Sequence, residues 1–172
     1  DLVAKLSKYF KIGVIIPPDV VSNGVPNICN LIMDQSVNLR SPTAFDIRRT
    51  FNWLQENKLR QDFLMTATPV RRTHFKYWRT LLGLNDQEVF SVYFGSTHVG
   101  NAGLKNIDRR VGEAELWLYI GERSNRGIGI GSIILRKLEN HIYSYLQCCK
   151  AVLHVSRSNA AAYQLYKRAG YV

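Results

Sequence analysis

The chain has 172 residues, 46% hydrophobic and 21% charged, with a net charge of +10 from 23 Lys+Arg against 13 Asp+Glu. That length and balance suit one globular domain with a sizeable core. They exclude a disulfide scaffold, since Cys29, Cys148 and Cys149 are odd in number and form no CxxC. No run reaches the roughly 18–20 apolar residues of a membrane helix. The opening DLVAKLSKYFKIGVIIPP lacks the long apolar stretch and small-residue cleavage site of a signal peptide. A reducing, cytoplasmic setting is expected. His74, His98, His141 and His154 are scattered, with no HExxH and no Cys/His pairing, so no metal is expected. The positive balance favours phosphorylated partners. Its charges are dispersed in pairs such as Arg48-Arg49 and Arg71-Arg72 rather than gathered in a tract, which points away from nucleic acid.

In chain order, LVAKLSKYF reads as a helix, IGVIIP as a strand and VPNICNLIMD as a short helix after a Pro/Gly/Asn loop. This stretch, residues 1–35, is expected to be an N-terminal extension or the tail of a preceding domain, and the absence of an initiator Met suits an excised piece. SVNLR follows as a strand. Ser41-Pro42-Thr43 offers a cap for the helix AFDIRRTFNWLQEN, with Phe45, Ile47, Phe51 and Leu54 as packing positions. VRRTHFKYWRTLL reads as a second helix, packed through Phe75, Trp78 and Leu81 or Leu82. EVFSVYF and HVGNAGLKNI make a hairpin, and GEAELWLYI a third strand of the meander. A glycine loop leads into a helix from about 130 to 147, with the stripe Ile130, Ile133, Ile134, Leu138, Ile142, Tyr145 and Leu146. AVLHV is a buried strand, and SNAAAYQLYKRAG a helix capped by Ser158 or Asn159 and closed by Gly170. Hairpins give antiparallel neighbours and the strand–helix–strand unit a parallel one, so the sheet is α/β, mixed, and flanked by helices.

The loop SNRGIGIGSII joins a strand to a helix. Bare amides at a helix start attract anions, and glycines let a phosphate approach the main chain. Arg126 stands beside it as a phosphate partner. The Walker pattern GxxxxGK(S/T) is absent, and so is GxGxxG.

Arg126-Gly127-Ile128-Gly129-Ile130-Gly131 resembles the Arg/Gln-x-x-Gly-x-Gly/Ala acetyl-CoA loop of the GNAT acetyltransferase superfamily. One helix and one strand later, Asn159 to Tyr171 (NAAAYQLYKRAGY) is similar to that superfamily's Asn-x-x-Ala-x-x-Leu-Tyr-x-x-x-Gly-Phe/Tyr motif. The resemblance extends weakly upstream to about residue 36 and implies a GNAT domain over 36–172, short of its final strands. It implies a V-shaped mixed sheet with acetyl-CoA wedged in the split. Gly127, Ile128, Gly129, Ile130, Gly131 and Ser132 would then hold the pyrophosphate beside Arg126. The backbone of Leu118, Tyr119 and Ile120 would bind the pantetheine arm like an added strand, with Asn159 contacting it.

Direct acetyl transfer to an amine needs a proton acceptor, a polarised thioester carbonyl and a proton for the leaving thiolate. Tyr166 falls where the superfamily places that proton donor. The proton acceptor is open between Glu115, which many relatives have on this strand, and His154, where some relatives have a glutamate; Glu115 ranks slightly ahead, with Glu113 third. The backbone amide of Ile120 is a candidate to polarise the carbonyl. Within the superfamily, the upstream text looks most like the branches that acetylate amino-sugar nucleotides or the N-termini of ribosomal proteins. A small-molecule amine, such as that of a nucleotide sugar, is the favoured acceptor, on a monomer or homodimer. A non-catalytic acetyl-CoA-binding module is the further alternative.

Overall fold

The computed structural model describes residues 9–15, 28–62, 65 and 67–172, with side chains from residue 32 onward. The helix expected over LVAKLSKYF lies mostly outside them, and its last two residues, Tyr9 and Phe10, are strand instead. Six strands form one sheet: β1 (Tyr9–Ile15), β2 (Val37–Arg40), β3 (Glu88–Phe94), β4 (Thr97–Asp108), β5 (Glu113–Ile120) and β6 (Lys150–Ser156). Their order is β1-β6-β5-β4-β3-β2. Every neighbouring pair is antiparallel except β5–β6. The hairpin-connected strands pair with their sequence neighbours, while β6 returns through a helical crossover and must run parallel. The segment before residue 36 contributes β1, which pairs along β6 from Tyr9–Ser156 to Ile15–Lys150.

Strand alternation gives the sheet two different faces. One carries Ala102, Leu104, Ala114, Leu116, Ala151 and Leu153, which pack with α5 (Ile130–Asn140) and α6 (Ala160–Arg168) into the main core. The other carries Glu115, Trp117 and Tyr119 of β5 and is covered by α2 (Ala44–Trp53) and α4 (Arg71–Leu81). There Ile47, Trp78, Leu81 and Val89 form a second apolar cluster. Helix α1 (Ile28–Ser36) is tied to α5 by Asp34, which faces Arg136 at 2.7 Å and Lys137 at 3.6 Å.

Several packing expectations shift. Helix α2 starts where expected: Thr43 and Asp46 form a reciprocal capping box. It ends at Trp53, four residues early, because Arg60 Nη1 on the short α3 (Asn57–Asp62) donates to the carbonyls of Leu54 (2.8 Å) and Gln55 (2.7 Å). Phe45, in its first turn, points away from the core and is 66% exposed, while Ile47 and Leu54 are buried. On α4 the packing residue is Leu81, with Leu82 exposed. Helix α5 passes at His141–Tyr145 into a wider π turn. That turn changes the angular step per residue, so Ile142 and Leu146 stay buried while Tyr145 leaves the stripe and is 68% exposed.

The parallel pairing of β5 with β6 is short. It runs through Glu113–Lys150, Ala114–Ala151 and Glu115–Val152 and then stops. Residues Leu116–Ile120 continue along β4 only, and Leu153–Ser156 along β1 only. The sheet therefore splits beyond Glu115, as the V-shaped expectation requires.

Candidate active site

The glycine loop opens onto this split. Gly127 and Gly129 take φ values of 78° and 95°, left-handed conformations that side-chain-bearing residues rarely adopt. Gly129 is the N-cap of α5 and supplies no capping side chain. The amides of Gly127, Ile128, Gly129, Ile130 and Gly131 find no backbone acceptor among the described residues. Five successive donors at the positive end of a helix make an anion nest. The amide of Ser132 is already spent on the Gly129 carbonyl at 3.1 Å. Gly131 is bare for a different reason: a Cβ there would meet Leu165 Cδ2 of α6 at 3.3 Å. Ile130 anchors the turn in the core, but Ile128 is half exposed and anchors nothing.

Arg126 is placed otherwise than expected for a phosphate partner. Its Nε donates to the Ile120 carbonyl (2.9 Å), and its Nη2 to the Gly121 carbonyl (2.9 Å) and to Glu56 (3.3 Å). It staples the loop to the end of β5. Across the hairpin, the Val99 carbonyl accepts from the amides of Gly121 (2.9 Å) and Glu122 (3.0 Å), so the end of β5 is held from both sides.

Glu115 and His154 come together at the root of the split. His154 Nδ1 lies 2.7 Å from Glu115 Oε1. Lys105 Nζ is 2.9 Å from the same oxygen, and Asn106 Nδ2 donates to Oε2 at 2.9 Å. Burial would raise the Glu115 pKa, but the hydrogen bonds from Lys105 and His154 outweigh it and hold the carboxyl below its ordinary value. Glu113 is not brought into this group; it pairs with Lys150 at 2.7 Å, at the closed end of the parallel ladder.

Tyr166 of α6 is buried in the main core, whose margin includes Leu118 and Ile120. Its ring lies 5.8 Å from that of Tyr171. Burial pushes its phenol up to about 12, so it is a proton-bearing group at neutral pH. Asn159 caps α6, accepting from the Ala162 amide at 3.1 Å. That use of Oδ1 leaves its amide nitrogen as a separate donor.

On the α2/α4 face lies a cavity of about 760 Å³ whose lining includes Thr50, His74, Tyr77, Lys105, Trp117 and Tyr119. No Asp or Glu lines it among the described residues. Behind Thr50 and Tyr119, which line it, lies a network of buried polar residues that the sequence did not single out. Asn101 Nδ2 lies 2.7 Å from Thr50 Oγ1 and 2.6 Å from Tyr119 Oη, and its Oδ1 is 3.1 Å from His98 Nε2. Asp46 accepts from the Thr43 amide at 2.8 Å and from Tyr93 Oη at 2.7 Å. The signal for this network was the strand HVGNAG, where an asparagine sits among glycines. Gly103 on that strand is bare because a Cβ there would meet the Glu88 carbonyl at 2.5 Å and Trp117 at 2.7 Å. Trp53 of α2 covers Gly121 and packs on His98 with ring centroids 4.7 Å apart.

Comparison with known proteins bears on this architecture. Residues 47–171 match the model of the Acetyltransferase (GNAT) family. A curated relative, an uncharacterized N-acetyltransferase of Methanocaldococcus jannaschii, is 44% identical over 46 residues, 27% of this chain; the match spans 30% of that protein's length. Among solved structures, spermidine N-acetyltransferase from Vibrio cholerae in complex with CoA and spermine superposes with a TM-score of 0.73 at 19% identity, covering 80% of this chain and 82% of that one. Campylobacter jejuni N-acetyltransferase PseH in complex with acetyl coenzyme A gives 0.60 at 18% identity, covering 78% and 86%.

Proposed function

The chain belongs to the Acetyltransferase (GNAT) family, and on that premise we propose that it moves an acetyl group from acetyl-CoA to the primary amine of an amino-sugar nucleotide. The observation that carries the acceptor is the large aromatic cavity with Lys105 and no carboxylate among the described residues of its lining. A polyamine needs carboxylates to balance its ammonium groups when water is removed. A nucleotide sugar brings flat rings for Trp117 and Tyr77 and a diphosphate for Lys105.

Acetyl-CoA, when bound, supplies an activated acetyl thioester. The residues fit it: the open amides of Gly127 to Gly131 suit a pyrophosphate, and the unpaired stretch of β5 beyond Glu115 suits an amide-bearing arm. Leu118, Tyr119 and Ile120 would hold that arm along the split, with the Asn159 amide as a further donor. Arg126 fixes the loop on β5 rather than meeting the ligand itself. The Glu115–His154 pair takes the proton of the attacking amine. Tyr166 holds a proton at Oη for the departing sulfur; its burial keeps that proton in place until the thiolate needs it.

The test is acetyl transfer to UDP-glucosamine, an N-terminal peptide and spermidine, measured side by side. UDP-glucosamine should lead in kcat/KM by at least about tenfold, the discrimination expected when one acceptor satisfies the site's polar groups and another does not. A lead for spermidine or for the peptide overturns the acceptor assignment, and no transfer to any amine overturns the reaction.

A further inference from the structure

The Glu115–His154 pair contains two groups able to take a proton, and the geometry divides their roles. We infer that His154 is the catalytic base and that Glu115 is its positioning residue, held ionised by Lys105 and Asn106 and never itself the proton acceptor. The inference rests on the acetyl-transfer reading above and goes beyond it by assigning the atom that takes the proton.

Glu115 is 6% exposed, and both of its oxygens are committed: Oε1 to His154 and Lys105, Oε2 to Asn106. A carboxylate that already accepts from three donors is a poor base, because protonation would break a charge-assisted bond. The strand is shaped to deliver those donors. The β4–β5 register breaks between Lys105 and Asp108. Within that break Asn106 adopts φ 52°, an unusual value for a residue with a side chain. The bulge thereby turns Asn106 Nδ2 onto Glu115 Oε2.

His154 is the more accessible of the two. Its side chain is 39% exposed, against 8% for that of Glu115. Val152 is the last β6 residue paired with β5, opposite Glu115. His154 is two residues further along, the first on this face beyond the point where the strands part. It therefore stands just past the point where the strands part, in line with the unpaired stretch of β5. Against a carboxylate at 2.7 Å, Nδ1 must be the protonated nitrogen. That tautomer puts the basic lone pair on Nε2. When Nε2 takes a proton from the amine, the imidazolium formed lies against the Glu115 carboxylate, which stabilises it. Atoms balance simply: the amine nitrogen forms the new bond to the acetyl carbon and loses one hydrogen to Nε2, and the sulfur leaves with a proton from Tyr166.

The test combines a spectroscopic measurement with kinetics. Long-range nitrogen–proton correlation on the uniformly labelled chain at pH 8, assigned with His154→Gln, should show His154 with Nδ1 protonated and Nε2 bare. The reverse tautomer overturns the inference, and this result does not depend on knowing the acceptor. In acetyl transfer to UDP-glucosamine, His154→Gln should lower kcat about 100-fold with KM little changed. Glu115→Gln, whose Oε1 still accepts from Nδ1, should lower kcat only about tenfold and preserve the tautomer. If Glu115→Gln loses as much as His154→Gln, Glu115 is the base and the inference falls. Acetyl-CoA binding, followed by calorimetry in both variants, should match wild type; its absence in the wild-type chain would instead sink the parent reading.

Discussion

The two sides of the split are built by opposite means. On the loop side, residues 127–131 present main-chain amides, and side chains are withheld by three glycines. On the sheet side, the α2/α4 face presents side chains from four elements, each already held by a neighbour: Thr50 of α2, Lys105 and Asn101 of β4, Glu115 and Tyr119 of β5, His154 of β6. The loop side suits a ligand whose recognition is generic, a phosphate met by backbone dipoles. The sheet side suits discrimination, since a preformed side-chain network leaves buried groups unpaired when the wrong acceptor arrives. Substitutions should therefore act differently on the two sides, and that difference can be broken or sharpened by measurement.

The largest effect belongs to the loop. Gly129→Val places a β-branched residue at φ 95° and a side chain over the nest, and should weaken acetyl-CoA by at least about 100-fold by calorimetry. Wild-type affinity in that variant would erase the loop's role. Tyr166→Phe should lower kcat about 100-fold while leaving acetyl-CoA affinity unchanged, a split visible only if chemistry and binding are read separately. On the sheet side, Tyr119→Phe removes one hydroxyl from the cavity lining and should raise the acceptor KM about tenfold with no change in acetyl-CoA affinity. A loss of cofactor affinity instead would show that the two sides are not separable. Arg126→Ala should weaken acetyl-CoA only a few-fold, because its guanidinium is spent on the Ile120 and Gly121 carbonyls.

The smallest effect is on stability. Burial holds His74 and His98 below the ordinary imidazole value, so both fold as neutral rings. The unfolded chain then binds more protons than the folded one as pH falls below about 6.5, and stability declines with acidification. Glu115, held below its ordinary value chiefly by Lys105 and His154 against the opposing effect of burial, adds a second decline below about pH 4.5 as its carboxylate is lost. Denaturant melts across pH 4–8 should show the first decline reduced in His74→Gln, which keeps a donor toward the Ile47 carbonyl. An unchanged profile would mean that His74 titrates alike in both states.

The same contrast explains what could be read from the sequence. Gly127, Gly129 and Gly131 are legible because positive φ at the first two and contact with α6 at the third leave no room for side chains, and the later NAAAYQLYKRAGY block marks that helix. Strand alternation by itself puts Glu113, Glu115, Trp117 and Tyr119 on one face. What escaped were contacts between distant elements. Arg126 appeared as a phosphate partner because nothing local shows that the Ile120 carbonyl folds back within reach. Asn101 and Thr50 lie 51 residues apart, and no periodicity links them. Tyr145 and Phe45 were misplaced for local reasons: a π turn changes the angular step before Tyr145, and Phe45 lies about 200° around the helix from the buried Ile47. The bulge that turns Asn106 onto Glu115 is likewise invisible until β4 and β5 are paired.

The central claim is that bare amides on the loop hold the acetyl donor. It is tested most directly by following the backbone amide resonances of Gly127, Ile128, Gly129, Ile130 and Gly131 during titration with acetyl-CoA. All five should move in a saturable, concerted way and exchange with solvent more slowly in the complex, while the amide of Ser132, already bonded to Gly129, changes least. Saturable binding that leaves those five amides unmoved would contradict the account.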